Sequence, residues 1–271
     1  MPPLISTETL WVNTPHGRLF TQRWFPVDGD RRKPPIILFH DSLGCVELWR
    51  DFPQHLCQAT GHEVIAYDRL GFGQSDAYPG SLPLDFIRDE AEHFFALLRT
   101  ELQIEQFVAM GHSVGGAMAA TCASLHLQNC VALITLSAQA FVEERTLDGI
   151  RFAKAQFEEK GQMARLEKYH GNKAQWVLTA WTQTWLSEAF SGWCIENNID
   201  AIHCPLLALH GEHDEYGSVL HPARFARLSK TVIISPTERH QTLFWMQSVD
   251  TLGSTTINDR SWPILLKKSS I

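Results

Sequence analysis

The pentapeptide Gly111-His112-Ser113-Val114-Gly115 constrains this chain more than any other stretch. The apolar run Phe107-Val108-Ala109-Met110 leads into it, and Gly116 followed by Ala117-Met118-Ala119-Ala120 leads out. A short apolar run before a glycine reads as a buried strand, and the small residues beyond it read as a helix packed closely on a sheet. A strand that becomes a helix within so few residues crowds the positions flanking the turn. Glycines two residues before and after the serine permit it. The turn lifts Ser113 Oγ above the sheet, beside a helix N-terminus whose unpaired N–H groups can meet developing negative charge.

The rest of the chain has the rhythm that such a turn requires. Two alternating segments, around Thr9 to Asn13 and Arg18 to Trp24, flank Pro15-His16-Gly17 and predict an antiparallel hairpin. Beyond the polar stretch Asp28 to Lys33, short apolar runs alternate with helical ones. Strands are expected at Ile36 to Phe39, Glu63 to Tyr67, Phe107 to Met110, Val131 to Ile134, Leu206 to Leu209 and Thr231 to Ile234. Runs apolar at nearly every position belong to a mostly parallel sheet flanked by helices on both faces, which makes the chain α/β. Between the second and third of these strands, Ile87, Ala91, Phe94, Phe95, Leu98 and Leu102 mark one face of an amphipathic helix.

The alternation stops after the fourth parallel strand. Helix-like stretches, Ile150 to Lys168 and Lys173 to Leu186, fill residues 138–200 without a strand among them. A structureless loop of that length is improbable, so the expectation is an inserted helical lobe. The core is then residues 1–137 and 201–271. The lobe carries Trp176, Trp181, Trp185 and Trp193, which either pack it onto the core or line an apolar pocket beneath it.

Composition removes several functional classes. A formal net charge of −7 gives no basic footprint for nucleic acid and no attraction to an anionic membrane. No apolar run approaches the roughly 18–20 residues of a membrane span. The opening Met-Pro-Pro-Leu-Ile has no basic region and no long apolar run, so no signal peptide is expected. The six cysteines are scattered without metal-ligand or disulfide-framework spacing, which fits a reduced, cytoplasmic protein with no metal. No phosphate-binding loop is present, and Gly71-Phe72-Gly73 lacks the context of a dinucleotide site, so no cofactor is expected. Whether the chain forms a homo-oligomer is left open at this level.

Three further segments join the elbow. Phe39-His40-Asp41-Ser42-Leu43-Gly44 follows the first parallel strand, Asp68-Arg69-Leu70-Gly71-Phe72-Gly73-Gln74-Ser75 the second, and His210-Gly211-Glu212-His213-Asp214 the strand after the lobe. In this order they resemble the α/β-hydrolase superfamily, over residues 36 to 240, with the helical insert where that family places its cap. The resemblance implies an α/β-hydrolase fold and a triad in the chain order serine, acid, histidine.

On that order Asp214 is the expected acid. The family's other acid position, after the strand Val131 to Ile134, offers only Ser137, Ala138 and Gln139. Glu212 and Glu215 are neighbours suited to solvent. His240 is the expected base, 26 positions beyond Asp214 and just past the strand Thr231 to Ile234. His221 follows the acid too closely. The resemblance places the oxyanion hole on the backbone N–H groups of Ser42 and Val114. Asp41 stands where the family commonly has glycine, so its carboxylate either weakens the hole or ties down the loop. Asp68 fits an Asx-type turn cap better than a catalytic acid. The segment Glu238-Arg239-His240-Gln241 and the tail 253–271 depart from the family pattern.

The chemistry expected is hydrolysis of a carboxylic ester of a small or medium apolar substrate, through an acyl-enzyme on Ser113. The same groups would serve a thioester, a lactone, a carbon–carbon bond or perhydrolysis. A hydrolase-like ligand receptor with little turnover is the alternative from another class.

Overall fold

The computed structural model describes residues 3–29, 32–197, 199, 202–211 and 213–229. Among these, seven strands form one sheet in the order β1-β2-β4-β3-β5-β6-β7. The hairpin β1 (Ile5–Thr14) and β2 (Gly17–Pro26) pairs antiparallel, and β2 also runs antiparallel to β4. β3 (Ile36–Phe39), β4 (Val64–Tyr67), β5 (Phe107–His112), β6 (Cys130–Leu136) and β7 (Leu206–Leu209) pair in parallel. The hairpin is longer than its alternating stretches predict, and β5 runs on through Gly111 and His112. The expected strand Thr231 to Ile234 lies outside the described residues.

The apolar runs are continuous because both faces of the sheet are covered. On β3, Ile37 and Phe39 face a core built with Phe94, Phe95 and Leu98 and with Ala117 to Ala120. Ile36 and Leu38 face the opposite core, against Phe52, Leu56 and Cys57. The first of these layers holds α2 (Phe86–Asp89) and α3 (Phe95–Glu101), joined by a π turn at Glu90–Phe94, and also α4 (Val114–Leu125); the second holds α1 (Phe52–Thr60). The segment between β6 and β7 contains α5 (Glu144–Phe157), α6 (Gln162–His170) and α7 (Ala174–Trp185), and α8 (Leu220–Leu228) follows β7. Helices α5 to α7 share a third apolar cluster, in which Phe157, Leu166, Val177 and Leu178 meet Leu43 and Phe72 of the core loops.

The π turn widens what the periodicity reads as one continuous helix. It coincides with Glu90, a buried carboxylate that accepts a hydrogen bond from Tyr67 Oη at 2.6 Å. Burial pushes the Glu90 carboxyl up to about 7, against the pull of Arg69 and the Tyr67 bond. A folded-state value above the unfolded one means that the native chain binds more protons in between. The stability contributed is therefore full below the ordinary glutamate range and is lost as pH rises through about 7. Glu90→Gln, neutral at every pH, is expected to flatten that part of the stability–pH curve and to raise the melting temperature at pH 8. Thermal melts of both proteins at pH 5 and pH 8 check this, and equal slopes in the two proteins would contradict it.

Candidate active site

Ser113 sits at the end of β5 with φ 57° and ψ −127°, a strained conformation for a residue with a side chain. Backbone bonds hold it there: Ser113 N donates to Leu136 O at 2.9 Å, and Gly116 N donates to Ser113 O at 2.9 Å. The glycines around it are a matter of space. A Cβ on Gly111 would lie 2.0 Å from Gly115 O, and one on Gly115 would lie 2.2 Å from Phe39 O. The elbow is thus pressed against itself and against the end of β3. Ser113 Oγ donates to Gln139 Oε1 at 2.9 Å.

The β3 contact brings the loop from His40 to Gly44 beside the elbow. Its Asp41 is paired: Oδ1 accepts from Leu43 N at 2.9 Å, and Oδ2 lies 3.4 Å from His112 Nδ1. Burial opposes ionisation of Asp41, but His112, His40 and the Leu43 N–H outweigh it and hold the carboxyl well below the usual carboxylate range. Asp41 O accepts from Arg69 Nη2 at 2.9 Å and from Gly44 N at 3.3 Å. The side chain therefore staples the loop. The N–H groups of Ser42 and Val114 have no hydrogen-bond acceptor among the described residues.

Two histidines not legible as site residues lock neighbouring loops. His40 Nε2 accepts from Arg69 N at 3.1 Å, so its Nδ1–H donates to Asp41 O at 2.8 Å. His170, buried at the end of α6, accepts from Gly73 N at 2.8 Å and donates to Leu43 O at 2.9 Å. It ties the helical segment to both core loops. Asp68 is a turn cap: its Oδ1 accepts from Val46 N at 2.6 Å and its Oδ2 from Gln74 N at 2.7 Å.

Asp214 lies beyond β7. Its Oδ1 accepts from Tyr216 N at 2.8 Å, and its Oδ2 accepts a hydrogen bond from Ser137 Oγ. Ser137 follows β6 with φ 41° and is bonded through its N–H to Leu209 O at 2.8 Å. Ser113, Ser137 and Asp214 thus follow β5, β6 and β7 at one carboxyl edge of the sheet, the edge at which the Ser42 loop leaves β3. His221 is buried with both ring nitrogens engaged: Nδ1 accepts from Ala140 N at 3.0 Å and Nε2 donates to Glu143 Oε1 at 3.0 Å. Burial lowers its basicity, against Glu143. His240 and Glu212 lie outside the described residues.

Sequence reasoning missed Ser137 and Gln139 as site residues, having weighed those positions only for a carboxylate. Their place directly after β6, next to the elbow strand, was the available signal. The tryptophans are engaged in packing. Trp185 and Trp193 meet each other and Phe190, and Trp176 stacks on Tyr78 at 5.4 Å while donating to Gly80 O. Trp181 lies tilted 6.0 Å from Tyr216. Among the described residues no cluster of histidine, cysteine and carboxylate could hold a metal ion, and no helix is long and apolar enough to cross a membrane.

The chain is 28% identical over 99 residues to a proline iminopeptidase of Lactobacillus helveticus (strain DPC 4571), a match covering 36% of this chain and 33% of that protein. It therefore spans about a third of the length of that curated relative. The fold is similar to a crystal structure of proline iminopeptidase from Mycobacterium smegmatis, with TM-score 0.61, 20% identity, and 83% and 88% of the two chains covered. It is similar also to the haloalkane dehalogenase DbeA from Bradyrhizobium elkani USDA94, with TM-score 0.62, 17% identity, and 84% and 88% covered. These likenesses share a fold across different chemistries. Residues 34–177 match the family described as alpha/beta hydrolase fold, and this chain belongs to that family.

Proposed function

We propose that the chain is a serine hydrolase that cleaves a carboxylic ester of a small or medium apolar substrate through an acyl-enzyme on Ser113. The observation that carries this reading is the strained Ser113 backbone at the tip of β5, with glycines packed too tightly for any side chain. Strain of this kind persists only where the surroundings over-determine it, and here it sets a hydroxyl at a helix N-terminus. A carboxylate nucleophile, as a dehalogenation would need, is absent from that position.

In this reading His240 takes the Ser113 proton as Oγ attacks the ester carbonyl, and Asp214 steadies the imidazolium. The backbone N–H groups of Ser42 and Val114 receive the oxyanion; their lack of other acceptors among the described residues supports that role. Collapse of the tetrahedral intermediate expels the alcohol, which leaves with the proton from His240. The Asp41 carboxylate is turned to Leu43 N and His112, so it is paired rather than left free in the loop that carries Ser42. Residues 138–200 form the cap of this reading. Their apolar cluster reaches Leu43, next to Ser42, which favours apolar acyl groups. A thioester or lactone would be opened by the same groups, and a substrate series separates these from simple esters.

The test is hydrolysis of p-nitrophenyl esters from acetate to long chain, together with labelling by an alkyl fluorophosphonate and peptide mapping. The expected result is turnover with an optimum at short or medium chains and a label on Ser113. A folded protein that accepts neither the esters nor the label would overturn the reading.

A further inference from the structure

Resting on the serine-hydrolase reading, we propose that Gln139 positions the water that hydrolyses the acyl-enzyme. In the free chain Gln139 Oε1 accepts the Ser113 hydroxyl proton at 2.9 Å, and Gln139 is only 6% exposed. Acylation removes that donor, because an ester oxygen carries no proton. A sheltered amide oxygen stripped of its hydrogen bond bears a desolvation cost, so the acyl-enzyme itself creates a demand for a new donor within reach of Oγ. Water meets that demand. One O–H donates to Gln139 Oε1, the other is given up to the base of the serine-hydrolase reading, and a lone pair is left toward the acyl carbon beside Oγ.

The step balances without another reactant. The water oxygen bonds to the acyl carbon while its proton passes to His240. The bond from the acyl carbon to Oγ then breaks, and His240 returns the proton to Oγ. The restored hydroxyl donates to Gln139 again.

The backbone at residue 139 is held on both sides, which is what a positioning group needs. On one side Ala138 packs so closely on Gly116 of the elbow helix that a Cβ there would lie 2.3 Å from that of Ala138. On the other, Ala140 N donates to the buried His221 Nδ1 at 3.0 Å, and Ala140 O accepts from Ile195 N at 2.7 Å. His221 is in turn fixed by Glu143, which also accepts from Ser218 N and Oγ. This accounts for a buried histidine with both nitrogens engaged at the margin of the site.

The experiment is stopped-flow hydrolysis of p-nitrophenyl acetate, with intact-mass analysis of the quenched protein, for wild type, Gln139→Met and Gln139→Glu. Methionine keeps the length of the side chain without its amide oxygen, and glutamate keeps the acceptor. In Gln139→Met, acylation is expected to stay within about threefold while deacylation slows by about 10²-fold, giving a full p-nitrophenolate burst and an acetyl group retained on Ser113. In Gln139→Glu, deacylation is expected to stay within about tenfold of wild type. A residue that only orients Ser113 would instead slow acylation and deacylation together, without a burst, and that result overturns the proposal. So does a glutamate variant as slow in deacylation as the methionine one. A wild-type protein that neither turns over the ester nor acquires an acetyl group on Ser113 removes the parent reading as well, which tells the two failures apart.

Discussion

Ser113→Ala is expected to lower kcat on an ester substrate by about 10⁴-fold or more, because removing a nucleophile abolishes the covalent route rather than weakening it. The chain should remain folded. Alanine inherits the same strained backbone, with φ 57°, and the same bonds from Ser113 N to Leu136 O and from Gly116 N to Ser113 O. The folded state loses the side-chain hydrogen bond to Gln139 Oε1, which costs about 1–3 kcal/mol because the sheltered amide oxygen is left without its donor. Steady-state kinetics beside a thermal melt separate the two effects. Retained turnover in the alanine variant would end the serine reading, whereas lost turnover with a near-native melt would establish it.

The second large effect is expected on stability. In Gly115→Ala the new methyl would meet Phe39 O at 2.2 Å and His40 O at 2.5 Å. Both atoms belong to the backbone where β3 ends, so no rotamer change relieves the overlap, and the elbow helix has to move from the sheet. Overpacking of this kind costs about 3 kcal/mol or more, a large share of a domain's net stability of roughly 5–15 kcal/mol. For a chain of this size that is a fall of roughly 6–12 °C in melting temperature. Activity should fall further than stability, since the displacement separates the Val114 N–H from the Ser42 loop. Gly192→Ala is the control: a Cβ there meets nothing within 4 Å, and its effect should stay within about 0.5 kcal/mol. Equal melting temperatures for the two variants would show that the close approach at Gly115 is not a constraint.

Much of the architecture was legible because burial leaves a plain mark on a parallel sheet. Strands such as Ile36–Phe39 and Leu206–Leu209 are apolar throughout. A sheet covered on both faces favours such runs. The helices were less legible in detail. Periodicity runs smoothly through Glu90, yet the helix widens there where the carboxylate bonds to Tyr67 on the adjoining strand, a contact that lies 23 residues away in sequence. The stretch Ile150 to Lys168 reads as one helix and is two, parted at residues 158–161, where Gly161 takes φ 88° immediately before the second begins.

The elbow is written in the chain's local order. Strand, glycine, serine, glycine and small-residue helix are neighbours in the chain, and local sterics between neighbours leave little choice of geometry. The chain order also sets the order in which the loops leave the sheet. What those loops do to one another follows from packing across the sheet. Asp41 acts as a staple because His112, 71 residues on, comes within 3.4 Å of it. Gln139 meets Ser113 across a separation of 26 residues. Ser137 reaches Asp214 from the neighbouring strand end. Such contacts depend on the parallel register that lays β5, β6 and β7 side by side, and no local pattern encodes the partner of a polar side chain whose bond is made only after the sheet has formed.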